Sequence, residues 1–129
     1  LKQVLLTLLA FPKNKLITLF GCGGDRDKSK RGEMGRIAAE YSDEVIITSD
    51  NPRTENPSEI IEDILSGTDR AKTPVYIIEN RKKAIEYALQ KAQKNDIILL
   101  AGKGHETYQL IGDEKIPFDE RKIVADFLS

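Results

Sequence analysis

Short, almost wholly apolar runs alternate along the chain with longer segments whose apolar residues recur every three or four positions. Residues 17–20, 44–48, 74–78 and 96–100 form the first kind. They lack the in-and-out alternation of a half-exposed strand, so they read as strands buried on both faces of a parallel sheet. Met34, Ile37, Ala38 and Tyr41 line one face of a helix, as do Ile60, Ile61, Ile64 and Leu65, and again Ala84, Ile85, Ala88, Leu89 and Ala92. Asn56, Pro57 and Glu59 supply a cap, a first-turn proline and a capping-box partner. Gly67 is placed to close that helix in the left-handed conformation, and Asn80 caps the next. The order helix, β, α, β, α, β, α, β predicts a Rossmann-like, doubly wound α/β fold with a mostly parallel sheet and right-handed crossovers. After Glu106 the pattern changes. Residues 107–111 and 114–118, joined at Gly112-Asp113, predict an antiparallel hairpin. Asp119 then caps a final helix that buries Ile123, Val124, Phe127 and Leu128.

Composition narrows the class. A length of 129 residues fits one domain, 1–129, and no repeat, low-complexity tract or linker divides it. With 40% apolar and 32% charged residues the chain is neither a membrane protein nor disordered, and its mean hydropathy is −0.40. Lys and Arg total 20 against 21 Asp and Glu, a net charge of −1, so no general field favours nucleic acid or an anionic membrane. Any anion site must be local. The apolar runs are far shorter than the ~18 residues a membrane helix needs. The lone Cys22 excludes an internal disulfide and a thiolate metal cluster, and is compatible with a reducing, cytoplasmic compartment. The chain opens at Leu1 inside a helical pattern, without signal-peptide features. The expectation is a trimmed terminus or a domain excised from a longer protein.

Ligands of an open parallel sheet bind beyond the carboxyl ends of its strands, where loops and helix N-termini converge. Three loops meet that condition: residues 21–31, 49–54 and 101–106. The first is glycine-rich but fits neither GxGxxG nor the Walker pattern, and tight turning is the alternative to phosphate binding. Its charges, Asp25, Arg26, Asp27, Lys28, Lys30 and Arg31, crowd a helix entrance, either around a ligand or as a solvated loop. In the second, Pro52 restricts Asn51 and stiffens the turn. An ordinary turn is one reading. The other is that Arg53 takes a carboxylate in bidentate fashion while Asp50 holds an ammonium, which together recognise an amino acid head group. In the third, Gly102 and Gly104 let backbone approach a ligand and Glu106 joins the same edge. His105 lacks a second metal-binding histidine, since Gln109 stands where HExxH requires one, and no metal site is expected. Neither His105 nor Cys22 is assigned a nucleophilic role. A phosphoacceptor module is disfavoured because the third strand ends in Ile78-Glu79-Asn80 without an acceptor Asp.

Taken together, Gly21-Cys-Gly-Gly-Asp-Arg-Asp-Lys28, Asp50-Asn-Pro-Arg53 and Gly102-Lys-Gly-His-Glu106 resemble the C-terminal domain of Mur ligases of the MurE type, over essentially the whole chain. The resemblance implies the amino-acid-delivering third domain of an ATP-dependent ligase of peptidoglycan precursor synthesis. ATP would phosphorylate the D-Glu carboxylate of UDP-N-acetylmuramoyl-L-alanyl-D-glutamate, and an incoming amino group would attack the acyl phosphate. ATP, Mg2+ and a carbamylated lysine belong mainly to a central domain outside this chain, so no catalytic residue is assigned here and the fragment alone is expected to be inactive. Carried over position by position, Arg26, Asp50, Asn51, Pro52, Arg53, Gly102 and Glu106 form the site for meso-diaminopimelate. In it Arg53 and Arg26 take carboxylates, Asp50 and Glu106 an ammonium, and Asn51 and Gly102 orient it. Asp-Asn-Pro-Arg is the diaminopimelate form of the motif, and lysine-adding relatives usually lack its arginine. Lanthionine, with the same two head groups, is an equivalent occupant. The chain departs from the family pattern around Ser29, Arg31, Gly32 and Glu33, a stretch that bears on ATP more than on the amino acid. The alternative is a free-standing small-molecule or nucleotide-binding module of flavodoxin-like topology.

Overall fold

The four apolar runs form one parallel sheet, and the periodic segments form the helices that cover it. The computed structural model describes residues 1–129 apart from 26, 70–71, 103–107 and 113. In chain order the elements are α1 (Lys2–Leu9), β1 (Leu16–Phe20), α2 (Ser29–Tyr41), β2 (Glu44–Ile47), α3 (Pro57–Leu65), β3 (Val75–Ile77), α4 (Arg81–Lys91), β4 (Ile97–Leu100), β5 (Tyr108–Ile111), β6 (Glu114–Pro117) and α5 (Glu120–Leu128). The sheet runs β3-β2-β1-β4, and β5 and β6 pair antiparallel as a separate hairpin. Ile17 of β1 stands level with Glu44 of β2 and Ile98 of β4. The chain winds outward through β2 and β3, then returns past β1 to β4, so the direction of winding reverses between β1 and β4. A ligand crevice is expected at such a reversal.

Helices cover both faces, as a doubly wound fold requires. Phe20, Val45 and Ile47 pack with Ala38 of α2 and Ile60, Ile61 and Ile64 of α3. On the opposite face Ile17, Leu19 and Ile46 pack with Ala84, Ile85 and Ala88 of α4, joined by Ile123 and Val124 of α5. Asn80 accepts from Lys83 N–H at 3.0 Å and Asp119 from Arg121 N–H at 3.1 Å, so both expected caps form.

Four expectations need correction. Burial on both faces holds for β1 and β2, whereas β3 and β4 are the sheet edges and are partly open. Gly67 is not left-handed: a Cβ there would lie 1.7 Å from the Gly32 oxygen, so this glycine serves close approach of α2 to the end of α3. The Asn56 cap accepts from Ser58 N–H rather than from the third-position N–H of a capping box. Phe127 and Leu128 of α5 are exposed, at the last turn of the chain's final helix.

Candidate functional site

The loops leaving β1, β2 and β4 converge at the carboxyl edge of the sheet, beside the reversal of winding. Glycine makes the convergence possible. A Cβ at Gly21 would lie 2.4 Å from the Thr48 oxygen, and one at Gly24 1.8 Å from the Pro52 oxygen, so the glycine loop rests directly on the turn after β2. Gly24 N–H donates to the Asn51 oxygen at 2.7 Å, and Arg53 Nη1 donates to the Gly24 oxygen at 2.9 Å.

The hairpin binds this turn from the other side. Gln109 Nε2 donates to the Asp50 oxygen at 2.6 Å, and Leu110 N–H to Asn51 Oδ1 at 2.9 Å. Arg53 N–H donates to the Leu110 oxygen at 3.0 Å, and Gly112 N–H to the Arg53 oxygen at 2.5 Å. Together these bonds hold Arg53 at φ 53°, in the left-handed region. A non-glycine residue there costs about 1–3 kcal/mol and persists only where its surroundings over-determine it.

A cleft of about 550 Å³ opens between the loops, lined by Asp50, Asn51, Arg53 and Gly102. Asp27 and Lys30 stand on its α2 side, and Tyr108 and Leu110 close it from the hairpin. Gly102 has φ 102°, and a Cβ on it would stand 3.8 Å from Asp50 Oδ2, so glycine is required by conformation and keeps the approach to that carboxylate open. Pro52 does not line this cleft; it is buried beneath Gly24 and supports the turn. Asn51 is also buried, with its side-chain oxygen on the hairpin backbone. Arg26 and Glu106 lie outside the described residues. Cys22 is buried beside Met34, and burial pushes its thiol up to about 11, so it supplies no thiolate at neutral pH.

Arg31, which the sequence placed among charges set either around a ligand or in a solvated loop, is 2% exposed. Its Nη1 and Nη2 meet Glu55 Oε2 and Oε1, both at 2.9 Å, and further bonds run to Asp63 at 2.9 Å and the Gly23 oxygen at 3.0 Å. The hydrogen bonds from Arg31 hold the Glu55 carboxyl down at about 2. Helical spacing carried the missed signal, since Arg31 precedes Gly35 by four and Ala38 by seven and shares their buried face. Tyr108 and Leu110 were also missed. Strand alternation puts them on one side, facing the cleft, with buried Gln109 on the other.

The fold and the cleft define an α/β domain of the doubly wound class with an open cleft at its switch point. The chain belongs to the family of the Mur ligase, glutamate ligase domain, whose model matches residues 1–104. It is 54% identical over 129 residues to the UDP-N-acetylmuramoyl-L-alanyl-D-glutamate--2,6-diaminopimelate ligase of Caldanaerobacter subterraneus subsp. tengcongensis, covering 100% of this chain and 27% of that protein. It is 56% identical to ligase 1 of the same description from Clostridium acetobutylicum, covering 99% of this chain and 26% of that protein. A solved structure of a ligase so described superposes with a TM-score of 0.94 at 42% identity, over 98% of this chain and 26% of the other. The chain thus spans about a quarter of the length of these relatives. No match supports the free-standing flavodoxin-like alternative. No helix of the described residues is long and apolar enough to cross a membrane.

Proposed function

We propose that this chain is the C-terminal, amino-acid-binding domain, residues 1–129, of an ATP-dependent ligase that adds meso-diaminopimelate to UDP-N-acetylmuramoyl-L-alanyl-D-glutamate in the cytoplasm. The observation that carries the reading is the Arg53 fork, strained into position at the mouth of a polar cleft that also holds Asp50 and Gly102. A guanidinium and a carboxylate side by side complement the ammonium and carboxylate of an amino acid. Diaminopimelate differs from lysine by a second carboxylate. Lysine would leave the remaining donors of the guanidinium without the carboxylate they are set to meet, which permits rejection by about 10⁴-fold. Arg26, Asn51, Pro52 and Glu106 complete the proposed site, with Asn51 and Pro52 acting through the shape of the turn.

This chain's contribution is to bind and orient the amino group that attacks an acyl phosphate. Forming that phosphate requires ATP and Mg2+, which in this reading are held mainly by a central domain outside this chain; the glycine loop here lacks the Gly-Lys-Ser/Thr of a phosphate-binding loop. The domain alone is therefore inactive in this reading. The test is turnover by the intact parent ligase with diaminopimelate, lanthionine and lysine. Preference for diaminopimelate, with a loss of about 2–5 kcal/mol in kcat/KM on Arg53→Ala, supports the proposal. Preference for lysine, or unchanged kinetics in Arg53→Ala, overturns it.

A further inference from the structure

The Gly24 carbonyl, on which Arg53 Nη1 rests at 2.9 Å, is flanked by the bonds of one ion pair, a buried Arg31 with a half-buried Glu55. On one side Arg31 Nη2 donates to the Gly23 oxygen at 3.0 Å; on the other Glu55 Oε1 accepts from Asp25 N–H at 2.8 Å. Arg31 and Glu55 are themselves joined by two bonds of 2.9 Å in the fork-to-fork arrangement. Asp25, at φ 54°, returns the connection, its carboxylate accepting from the Thr54 hydroxyl and N–H. Glycine loop and turn are therefore cross-linked around the peptide that Arg53 touches.

Stability alone does not account for the choice of an ion pair here. A cation in the first turn of α2 opposes the helix dipole. A buried ion pair is often no more stabilising than apolar side chains of similar volume. What an apolar pair cannot do is fix a carbonyl and an N–H two residues apart in a glycine loop, where backbone freedom is greatest. We infer that Arg31 and Glu55 are a positioning pair for the Arg53 guanidinium, setting its aim into the cleft through the Gly23–Asp25 backbone. The inference rests on the proposed function and deepens it, because it gives Arg31, on the cleft wall, and Glu55, behind it, a part in affinity for the second carboxylate.

The experiment uses the intact parent ligase and measures KM separately for diaminopimelate, ATP and the UDP-linked dipeptide in Glu55→Gln, Arg53→Ala and the double variant. Glu55→Gln is expected to raise KM for diaminopimelate by about 10- to 100-fold, the scale of one charge-assisted hydrogen bond, while the other two KM values stay within about twofold. In the Arg53→Ala background the same change should add less than about twofold, because coupled residues are not additive. If Glu55→Gln does not fold, Arg31→Lys keeps the charge, loses the fork and carries the same expectation. Equal rises in all three KM values, or full multiplication of the two single effects, would overturn the inference and leave the substrate reading standing. Wild-type use of lysine in place of diaminopimelate would overturn both.

Discussion

Each face of the sheet buries an arginine in the first turn of a helix, and the two differ in what surrounds them. Arg81 of α4, 1% exposed, donates through Nε to Glu120 of α5 at 3.2 Å, and through its two terminal nitrogens to the Ser49 and Ala101 oxygens at 3.3 and 3.0 Å. It ties the loops after β2 and β4 from beneath, with its carboxylate partner only 8% exposed. Arg31 works on the other face and joins the loops after β1 and β2. Its carboxylates are more open, Glu55 at 14% and Asp63 at 45%, and among the described residues its Nε has no partner. Both guanidiniums direct donors at loop carbonyls on the carboxyl edge of the sheet. Arg81 is the more completely enclosed, so stability should depend on it more; Arg31 lies under the candidate site, so binding should depend on it more.

The largest effect that would break this contrast is on folding. Arg81→Met strands the Glu120 carboxylate in a closed site and is expected to cost about 3–5 kcal/mol in urea unfolding. Arg31→Met leaves carboxylates that can turn toward water and is expected to cost about 1.5–3 kcal/mol. Equal losses would mean that enclosure does not separate the two.

Acid sharpens the comparison. Glu55 is depressed from its ordinary 4.5 to about 2 by its bonds to Arg31, so its contribution is complete above pH 4.5 and disappears as pH falls through about 2. Unfolding free energy followed from pH 6 to 2 should therefore lose part of its fall in Arg31→Met, because the variant's Glu55 titrates nearer its unfolded value. A variant curve parallel to wild type throughout that range would remove Arg31 as the cause.

The smallest effect separates a guanidinium from a helix start. Asn80 caps α4 immediately before Arg81, and Asn80→Ala should cost about 1 kcal/mol. A loss as large as that of Arg81→Met would assign the whole difference to the helix terminus.

Much of the fold was legible because the signals are local. Strand runs at residues 17–20 and 44–48 and the Ile60, Ile61, Ile64 stripe each report burial within one element, and Asn80 and Asp119 report their own caps. The edge strands were misread because an apolar run does not reveal how many neighbours its strand will have. Gly67 was misread for a related reason: its partner, Gly32, lies on another helix. The loops of the candidate site were found from the rule that ligands gather beyond strand ends; the roles of Arg53 and Asp50 were read from their chemistry, and the rest of the residue set came from the family resemblance. Glu55 and Gln109 escaped both. Glu55 follows the motif rather than standing in it, and Gln109 was weighed only as a missing metal ligand.

Order of elements, placement of the three loops at one edge and the stiffness of the turn at Pro52 were all determined by residues adjacent in sequence, through backbone preference and periodicity. Tertiary structure alone decided that Glu55 lies across from Arg31, 24 residues away, and that Gln109 reaches the Asp50 oxygen across 59. The place of a charged side chain on a helix face does not name its partners. Whether it is solvated or enclosed depends on which distant groups arrive to satisfy its hydrogen bonds, and those arrive only when the sheet has closed.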